Sequence, residues 1–166
     1  AISLMLTGDA TYFRGMDDGV KATGSLLQKR YTMCPKERYV LVGYSQGAMV
    51  IHRVLTRLPS YAVSPSRIDG AFLIADGDRR SAHSESTVGT APDSATGVTW
   101  QFLSIAQAAT KIDASSSKLP ASGNDAIANK TYSVCNYGDI VCHANHAFQK
   151  AVTMVAGASI HTNSYI

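Results

Sequence analysis

The chain has 166 residues and a formal net charge of +3, and its basic residues are scattered, which argues against a nucleic-acid-binding protein. With 45% hydrophobic and 16% charged residues, it has the composition of one globular domain over residues 1–166. No apolar run reaches the ~18 residues that a membrane-spanning helix needs. The low charge and the many small polar residues are more typical of a secreted protein than of a cytosolic one.

Strands and helices are predicted to alternate along the chain. The sequence predicts strands at 2–6, 39–44, 68–75 and 130–135, and helices at 12–30, 48–58, 102–112 and 144–155. We expect residues 77–99 and 113–129 to form polar surface loops, and the residues from Gly157 onward to form an irregular tail. Such alternation favours an α/β fold, a three-layer sandwich with a mostly parallel central sheet.

Residues 39–51, YVLVGYSQGAMVI, join a buried strand to a helix through the pattern Gly-x-Ser-x-Gly. This order is typical of a nucleophile elbow, which lifts Ser45 clear of the sheet. We expect glycine at Gly43 and Gly47 because a side chain at either position would collide with the neighbouring strand or helix. The backbone N–H of Gln46, at the start of the helix, would stabilise an oxyanion. The pattern favours Ser45 as a nucleophile over a purely structural turn.

A serine nucleophile needs a base and a carboxylate that orients the base. Carboxylates follow two of the predicted strands, and the carboxyl ends of parallel strands share one edge of a sheet. Asp139 is the preferred acid, since it lies between Cys135 and Cys142, which could close a small loop around it. Asp76 and Asp78 stay as alternatives, although they are equally consistent with a plain turn at a strand end.

Five histidines compete for the role of base. His161 is preferred, because a loop after a complete helix would let it return to the edge of the sheet. We expect His52 on the surface, directed away from the serine, and His83 precedes the preferred acid, against the order Ser, acid, His. His143 and His146 follow the acid too closely, and we expect a helix cap and a solvated helix face there. No spacing predicts a metal site.

Four segments taken together resemble one protein family. Cys34-Pro35, residues 43–48 (GYSQGA), residues 135–142 (CNYGDIVC) and residues 160–165 (IHTNSY) occur in the order seen in the cutinase family of small secreted serine esterases. The resemblance implies a minimal α/β-hydrolase fold without a large lid, and no cofactor. It also implies roles for six residues: a catalytic triad of Ser45, Asp139 and His161, an oxyanion-hole N–H from Gln46, and a disulfide between Cys135 and Cys142.

The same resemblance implies a difference at the start of the chain. In the family, a further strand and a loop come before the position that matches Ala1, and the loop supplies a second oxyanion donor and a cysteine. We therefore expect the chain to lack that strand and loop, and Cys34 to be bonded to a segment outside the chain, such as a separate N-terminal chain. Residues 77–129 are longer than in compact fungal members, which predicts an insertion of loops and a helix near the site.

The predicted function is a secreted serine esterase acting on carboxylic acyl esters, such as a cutin-like polyester, lipids, short-chain esters or an acetylated polysaccharide. Two alternatives use the same fold. One is a non-catalytic cell-wall or binding protein, which would not turn over p-nitrophenyl esters. The other is an acyltransferase or thioesterase, which a comparison of acyl transfer with hydrolysis would separate from an esterase.

Overall fold

The computed structural model describes residues 11–81, 83–101, 118–123, 126–149 and 151–165. The helices are α1 (Thr11–Met33), α2 (Gln46–Thr56), α3 (Val98–Gln101), α4 (Ala144–Ala147) and α5 (Ala151–Asn163). The strands are β1 (Tyr39–Tyr44), β2 (Ile68–Ile74), β3 (Ser86–Val88) and β4 (Thr131–Val134). Short 3₁₀ turns span Leu58–Tyr61, Pro65–Arg67 and Ala128–Lys130. The predicted strand 2–6 and helix 102–112 lie outside the described residues.

The described strands form one parallel sheet in the order β1-β2-β4-β3. One row of the register joins Val42, Phe72, Tyr132 and Ser86 across the four strands. The parallel sheet with flanking helices confirms the predicted α/β class. β1, β2 and β4 match the predicted strands to within about a residue, because each is a run of apolar and β-branched residues bounded by turn residues.

One strand was missed by the sequence prediction. Residues 77–99 were expected to form a loop, but they contain β3, which pairs with β4 at the edge of the sheet. β3 has only three residues, all exposed, so no apolar pattern marks it. Pairing with β4, rather than burial of its side chains, makes this segment a strand.

The C-terminal helix also differs from the prediction. Instead of one helix over 144–155 and an irregular tail, the chain forms α4 and then α5, which continues through Gly157 to Asn163. Gly157 therefore does not end a helix. A Cβ there would lie 2.6 Å from the carbonyl oxygen of Gly138 and 3.2 Å from the Cβ of Ala147. Its missing side chain lets α5 approach the turn after β4, which contains Asp139.

Helices α1 and α2 pack against one face of the sheet and form the main core. Val20 and Leu27 of α1, Ile51 and Leu55 of α2 and Leu73 of β2 are all buried there. On the opposite face the side chains of Val40, Val42, Phe72 and Tyr132 remain 38–60% exposed. The packing of α2 on the sheet fixes the β1–α2 turn that contains Ser45. None of the helices in the described ranges combines the length and the apolar character needed to cross a membrane.

Candidate active site

Ser45 occupies the sharp turn between β1 and α2. Its backbone has φ 56° and ψ −122°, a conformation that L-residues rarely adopt and that characterises a strained elbow. The turn is held because the N–H of Ser45 donates to the carbonyl of Ile74 at 2.8 Å and the carbonyl of Ser45 accepts from the N–H of Ala48 at 3.0 Å. Helix α2 begins at Gln46, directly after the serine. The local geometry is therefore that of a nucleophile elbow, as the sequence predicts.

The two glycines of the motif differ in what they do. A Cβ on Gly43 would lie 2.4 Å from the carbonyl oxygen of Gly47, too close for any side chain. Strand β1 and the first turn of α2 touch at this point, so the expectation for Gly43 is confirmed. The same expectation for Gly47 is wrong, because a Cβ there would meet no atom of the described residues within 4 Å.

Ser45, His161 and Asp139 lie in one hydrogen-bonded row. The Oγ of Ser45 is 2.9 Å from Nε2 of His161, and Nδ1 of His161 is 3.0 Å from Oδ2 of Asp139. A carboxylate can only accept a hydrogen bond, so Nδ1 of His161 carries a hydrogen and donates the hydrogen bond to Asp139. Nε2 is then free to accept the hydroxyl proton of Ser45. The fold thus brings His161 into contact with Ser45, which is 116 positions away along the chain, and with Asp139, which is 22 positions away.

The carboxylate of Asp139 is fully buried and accepts from four donors. Its Oδ1 accepts the backbone N–H groups of Val141 at 2.6 Å and Cys142 at 3.0 Å. Its Oδ2 accepts from His161 and from the hydroxyl of Tyr165, each at 3.0 Å. All of its lone-pair positions are used, so the carboxylate cannot rotate without breaking a bond. The turn in which it sits is closed by the disulfide between Cys135 and Cys142, as the resemblance implied.

His161 is held from the side of the elbow as well. The ring of Tyr44 stacks on the ring of His161, with centroids 5.1 Å apart and planes 14° apart, and its hydroxyl donates to the backbone carbonyl of His161. Burial, together with the charge of Asp139, raises the pKa of Tyr44, so its hydroxyl stays a donor. His161 itself lies in the last turn of α5 and not on a loop, which corrects the expected setting.

The surface position expected for His52 is wrong, and Asp76, one of the two alternative acids, pairs with this histidine. His52 is 1% exposed rather than on the surface, and its Nδ1 lies 2.5 Å from Oδ2 of Asp76. Burial alone would lower the pKa of His52, but the charge and hydrogen bond of Asp76, with the charges of Asp78 and Glu85, raise it to about 9. Asp76 therefore pairs with a histidine that is not hydrogen-bonded to Ser45, and it is not the acid of the row described above.

Asp78, the other alternative acid, belongs to a second buried pair. Its Oδ2 and Oδ1 accept from Nε and Nη2 of Arg53 at 2.5 and 2.9 Å, and Oδ1 also accepts from the hydroxyl of Thr99 at 2.6 Å. Burial acts to raise the pKa of Asp78, but Arg53 and its neighbours outweigh it and keep the pKa low. Both Arg53 and His52 lie on α2, so these pairs connect the elbow helix to the loop after β2.

The remaining histidines bond to other groups. His83 Nδ1 donates to the carbonyl of Arg80 at 2.9 Å. His143 stands at the start of α4 but does not cap it with its side chain; its Nδ1 accepts from the N–H of Gly138 at 2.9 Å. Burial and the neighbouring His146 lower the pKa of His143. His146 is half-buried and packs against Tyr137, with ring centroids 4.7 Å apart, so it is not the fully solvated residue that was expected.

Cys34 is half-exposed, follows directly after α1 and forms no disulfide among the described residues. Its expected bond to a segment outside the chain stays a prediction.

A cavity of about 310 Å³ lies beside the row of three residues, lined by Tyr44, Ile74, Thr162 and Tyr165. Its walls are mainly aliphatic and aromatic. It can hold a small apolar group next to His161.

Two tyrosines of the site were not assigned a role from the sequence. Tyr44 lies inside the Gly-x-Ser-x-Gly pattern at a position that accepts any residue, so the motif carries no signal for it. Tyr165 lies four residues after His161, and only the position of its hydroxyl against Asp139 indicates a role. Both are found by asking which donors satisfy the buried carboxylate and the backbone of the base.

Comparisons of sequence agree with the resemblance. The model of the cutinase family matches residues 6–166, almost the whole chain. The chain is also similar to Cutinase 4 of Emericella nidulans, with 35% identity over 68 residues, which is 33% of this chain and 30% of that protein. The match therefore spans less than a third of that relative's length.

Comparisons of structure give the fold. An acetylxylan esterase matches with a TM-score of 0.57 and 22% identity over 91% of this chain and 68% of its own. A cutinase-like protein from Cryptococcus sp. matches with a TM-score of 0.53 and 23% identity over 83% of this chain and 61% of its own. At these identities the likeness is one of fold, and the fold is that of the α/β-hydrolases.

Proposed function

The chain belongs to the cutinase family, and on that premise we propose that it is a serine esterase that cleaves carboxylic acyl esters through an acyl-enzyme on Ser45. The observation that supports this most directly is the position of His161, whose two ring nitrogens lie within 3.0 Å of Ser45 Oγ and Asp139 Oδ2. A serine hydroxyl is a weak nucleophile until such a base takes its proton.

The geometry fits acyl transfer in two halves. Ser45 Oγ attacks the ester carbonyl as His161 Nε2 takes the hydroxyl proton, and the C–O bond to the alcohol breaks as His161 returns that proton to the leaving oxygen. Water then attacks the acyl-serine, giving its proton to the same nitrogen, and the acid leaves as Ser45 recovers its proton. Asp139 accepts the hydrogen bond from Nδ1 throughout and stabilises the imidazolium that forms in each half.

The oxyanion of each tetrahedral intermediate needs donors near Ser45. We assign the backbone N–H of Gln46 as one donor, because it is the first residue of α2 and lies next to the nucleophile. The positive end of the helix dipole at this terminus favours the negative charge that develops on the carbonyl oxygen. A single donor of this kind is typically worth ~10²–10³ in turnover.

The cavity beside His161 suggests the substrate class. A volume of about 310 Å³ with aromatic and aliphatic walls suits a short acyl chain better than a charged group. Substrates are therefore esters of short or medium-length acids, including those carried by a polyester, a lipid or an acetylated polysaccharide. The disulfide between Cys135 and Cys142 is typical of proteins from oxidising compartments and supports secretion.

A fluorophosphonate probe tests the proposal directly. We expect one covalent adduct on Ser45, located by mass spectrometry, together with turnover of p-nitrophenyl acetate and butyrate. Ser45→Ala should lose both, and Ser66→Ala should keep both, because Ser66 is an exposed serine that bonds only to Ser64 in the described structure. Absence of an adduct and of ester turnover in the folded protein would favour a non-catalytic binding protein. Faster acyl transfer to an added alcohol or thiol than to water would favour a transferase.

A further inference from the structure

The hydroxyl of Tyr165 contacts the same oxygen of Asp139 that His161 uses. Both bonds to Oδ2 measure 3.0 Å, whereas Oδ1 is occupied by the backbone N–H groups of Val141 and Cys142. The phenol therefore shares the negative charge on which His161 depends. A group in this position affects both the orientation of the carboxylate and the strength of its attraction to an imidazolium.

The direction of the Tyr165 hydrogen bond is determined by its other neighbours. The backbone N–H of Asn136 lies 2.9 Å from the phenolic oxygen and can only donate, so it occupies an acceptor position on that oxygen. The disulfide sulfur of Cys142 lies 3.4 Å away and is a far weaker acceptor than a carboxylate. The hydroxyl proton consequently points at Asp139. Burial, with the nearby charge of Asp139, raises the pKa of Tyr165, so the phenol keeps that proton across the working range of an esterase.

The segment that contains Tyr165 is tied to the turn that contains Asp139. The side-chain amide of Asn136 donates to the carbonyl of Ser164 at 3.0 Å, and the backbone of the same residue binds the phenol. His161 and Tyr165 are separated by only four positions at the end of α5. One short stretch of chain therefore brings both the base and this second donor to a single carboxylate oxygen.

We propose that Tyr165 is a positioning residue for the proton-transfer step: its hydroxyl fixes the Asp139 carboxylate against His161 and reduces the charge that His161 feels. This inference rests on the proposed esterase function. Tyr165 lines the cavity beside the site, and its hydroxyl donates to Asp139. Removing only the hydroxyl should leave substrate binding unchanged and alter the acid–base step.

Tyr165→Phe makes that change. We expect KM for p-nitrophenyl butyrate to stay the same and kcat to fall about tenfold, by analogy with metal-bound histidines, for which loss of an outer hydrogen-bond partner typically costs about 10–100-fold. Among the described residues, the groups that contact the His161 ring are Asp139, Ser45 and Tyr44, and Tyr165→Phe alters none of them. With one donor fewer, Asp139 attracts the imidazolium more strongly, so the acidic limb of the kcat/KM profile should move to higher pH. Tyr132→Phe is the matched control, because Tyr132 lies on the exposed sheet face.

An NMR titration of the ring proton of His161 gives a readout that does not need activity. We expect its midpoint to rise by about half a pH unit or more in Tyr165→Phe and to stay unchanged in Tyr132→Phe. If Tyr165→Phe does not fold, Asn136→Ala keeps the phenol but frees the tail, and should shift the midpoint in the same direction by less. An unchanged midpoint in a folded Tyr165→Phe overturns the inference, even if its melting temperature falls. Failure of the esterase proposal would instead appear as an inactive wild type.

Discussion

The buried pair of His52 and Asp76 makes the stability of this protein depend on pH in a defined window. In the unfolded chain His52 has an ordinary pKa of 6.5, whereas in the folded protein its pKa is about 9. The folded state therefore holds the proton more tightly. The difference of about 2.5 units, at about 1.36 kcal/mol per unit, corresponds to about 3 kcal/mol of folding free energy. His52 is 1% exposed, so solvent does not screen this interaction.

The sign follows from the raised pKa. The contribution of His52 is complete below pH 6.5, decreases as the pH rises, and is absent above about pH 9. In acid the contribution persists, because both states are then protonated at His52. The protein should thus lose stability on the alkaline side of neutrality, through a group that is not hydrogen-bonded to Ser45.

Urea unfolding of wild type and His52→Gln at pH 6 and at pH 9.5 measures the effect. Glutamine keeps a hydrogen-bonding amide but cannot titrate, so other groups contribute equally to both proteins. We expect wild type to lose about 3 kcal/mol more than the variant between the two pH values. Equal losses would refute the reasoning. If the variant does not fold, an NMR titration of His52 in wild type decides the question, since a midpoint near 6.5 rather than about 9 contradicts the buried ion pair.

Four further variants test the site and the fold around it. Gly43→Ala should destabilise the fold by about 1–3 kcal/mol, because its Cβ would lie 2.4 Å from the carbonyl oxygen of Gly47. Gly47→Ala should change the free energy of unfolding by less than about 0.5 kcal/mol, because its Cβ would meet no described atom within 4 Å. Equal effects of the two variants in thermal melts would contradict this steric argument. The double variant Cys135→Ala, Cys142→Ala should lose about 2–3 kcal/mol in urea unfolding, the entropy of closing a loop this short, and an unchanged midpoint would contradict it. Asp139→Asn should lower kcat by about 10⁴, and a variant with near wild-type kcat would exclude Asp139 as the orienting acid.

The sequence predicts the parts of this protein that depend on local pattern. β1 and α2 were recognisable because an apolar run, a glycine-flanked serine and a helical period follow one another without a break. Asp139 could be selected because it follows a strand, and the carboxyl ends of parallel strands meet at one edge. The structure brings Ser45 and Asp139 together with His161. Their catalytic roles stay predictions that the experiments above address.

Contacts between distant segments could not be read from local pattern. From the sequence, Gly157 looks like a helix terminator, but α5 continues through it and includes His161. A glycine is required there because α5 closely approaches the backbone of Gly138. His52 looks like a surface residue of α2, but Asp76 lies opposite it after β2 and compensates its burial. In both cases the deciding neighbour is far away along the chain, and no propensity of the residue itself indicates it.

The elbow positions the base as well as the nucleophile, because Tyr44, the residue before Ser45, contacts His161. Its ring and hydroxyl engage the ring and the carbonyl of His161, so two consecutive residues of one turn set the positions of both partners in the proton exchange. A graft of residues 43–47 onto another hydrolase must therefore include Tyr44 as well as Ser45. A graft that preserves only the glycines and the serine would present a well-placed hydroxyl to an imidazole that has lost its lateral support.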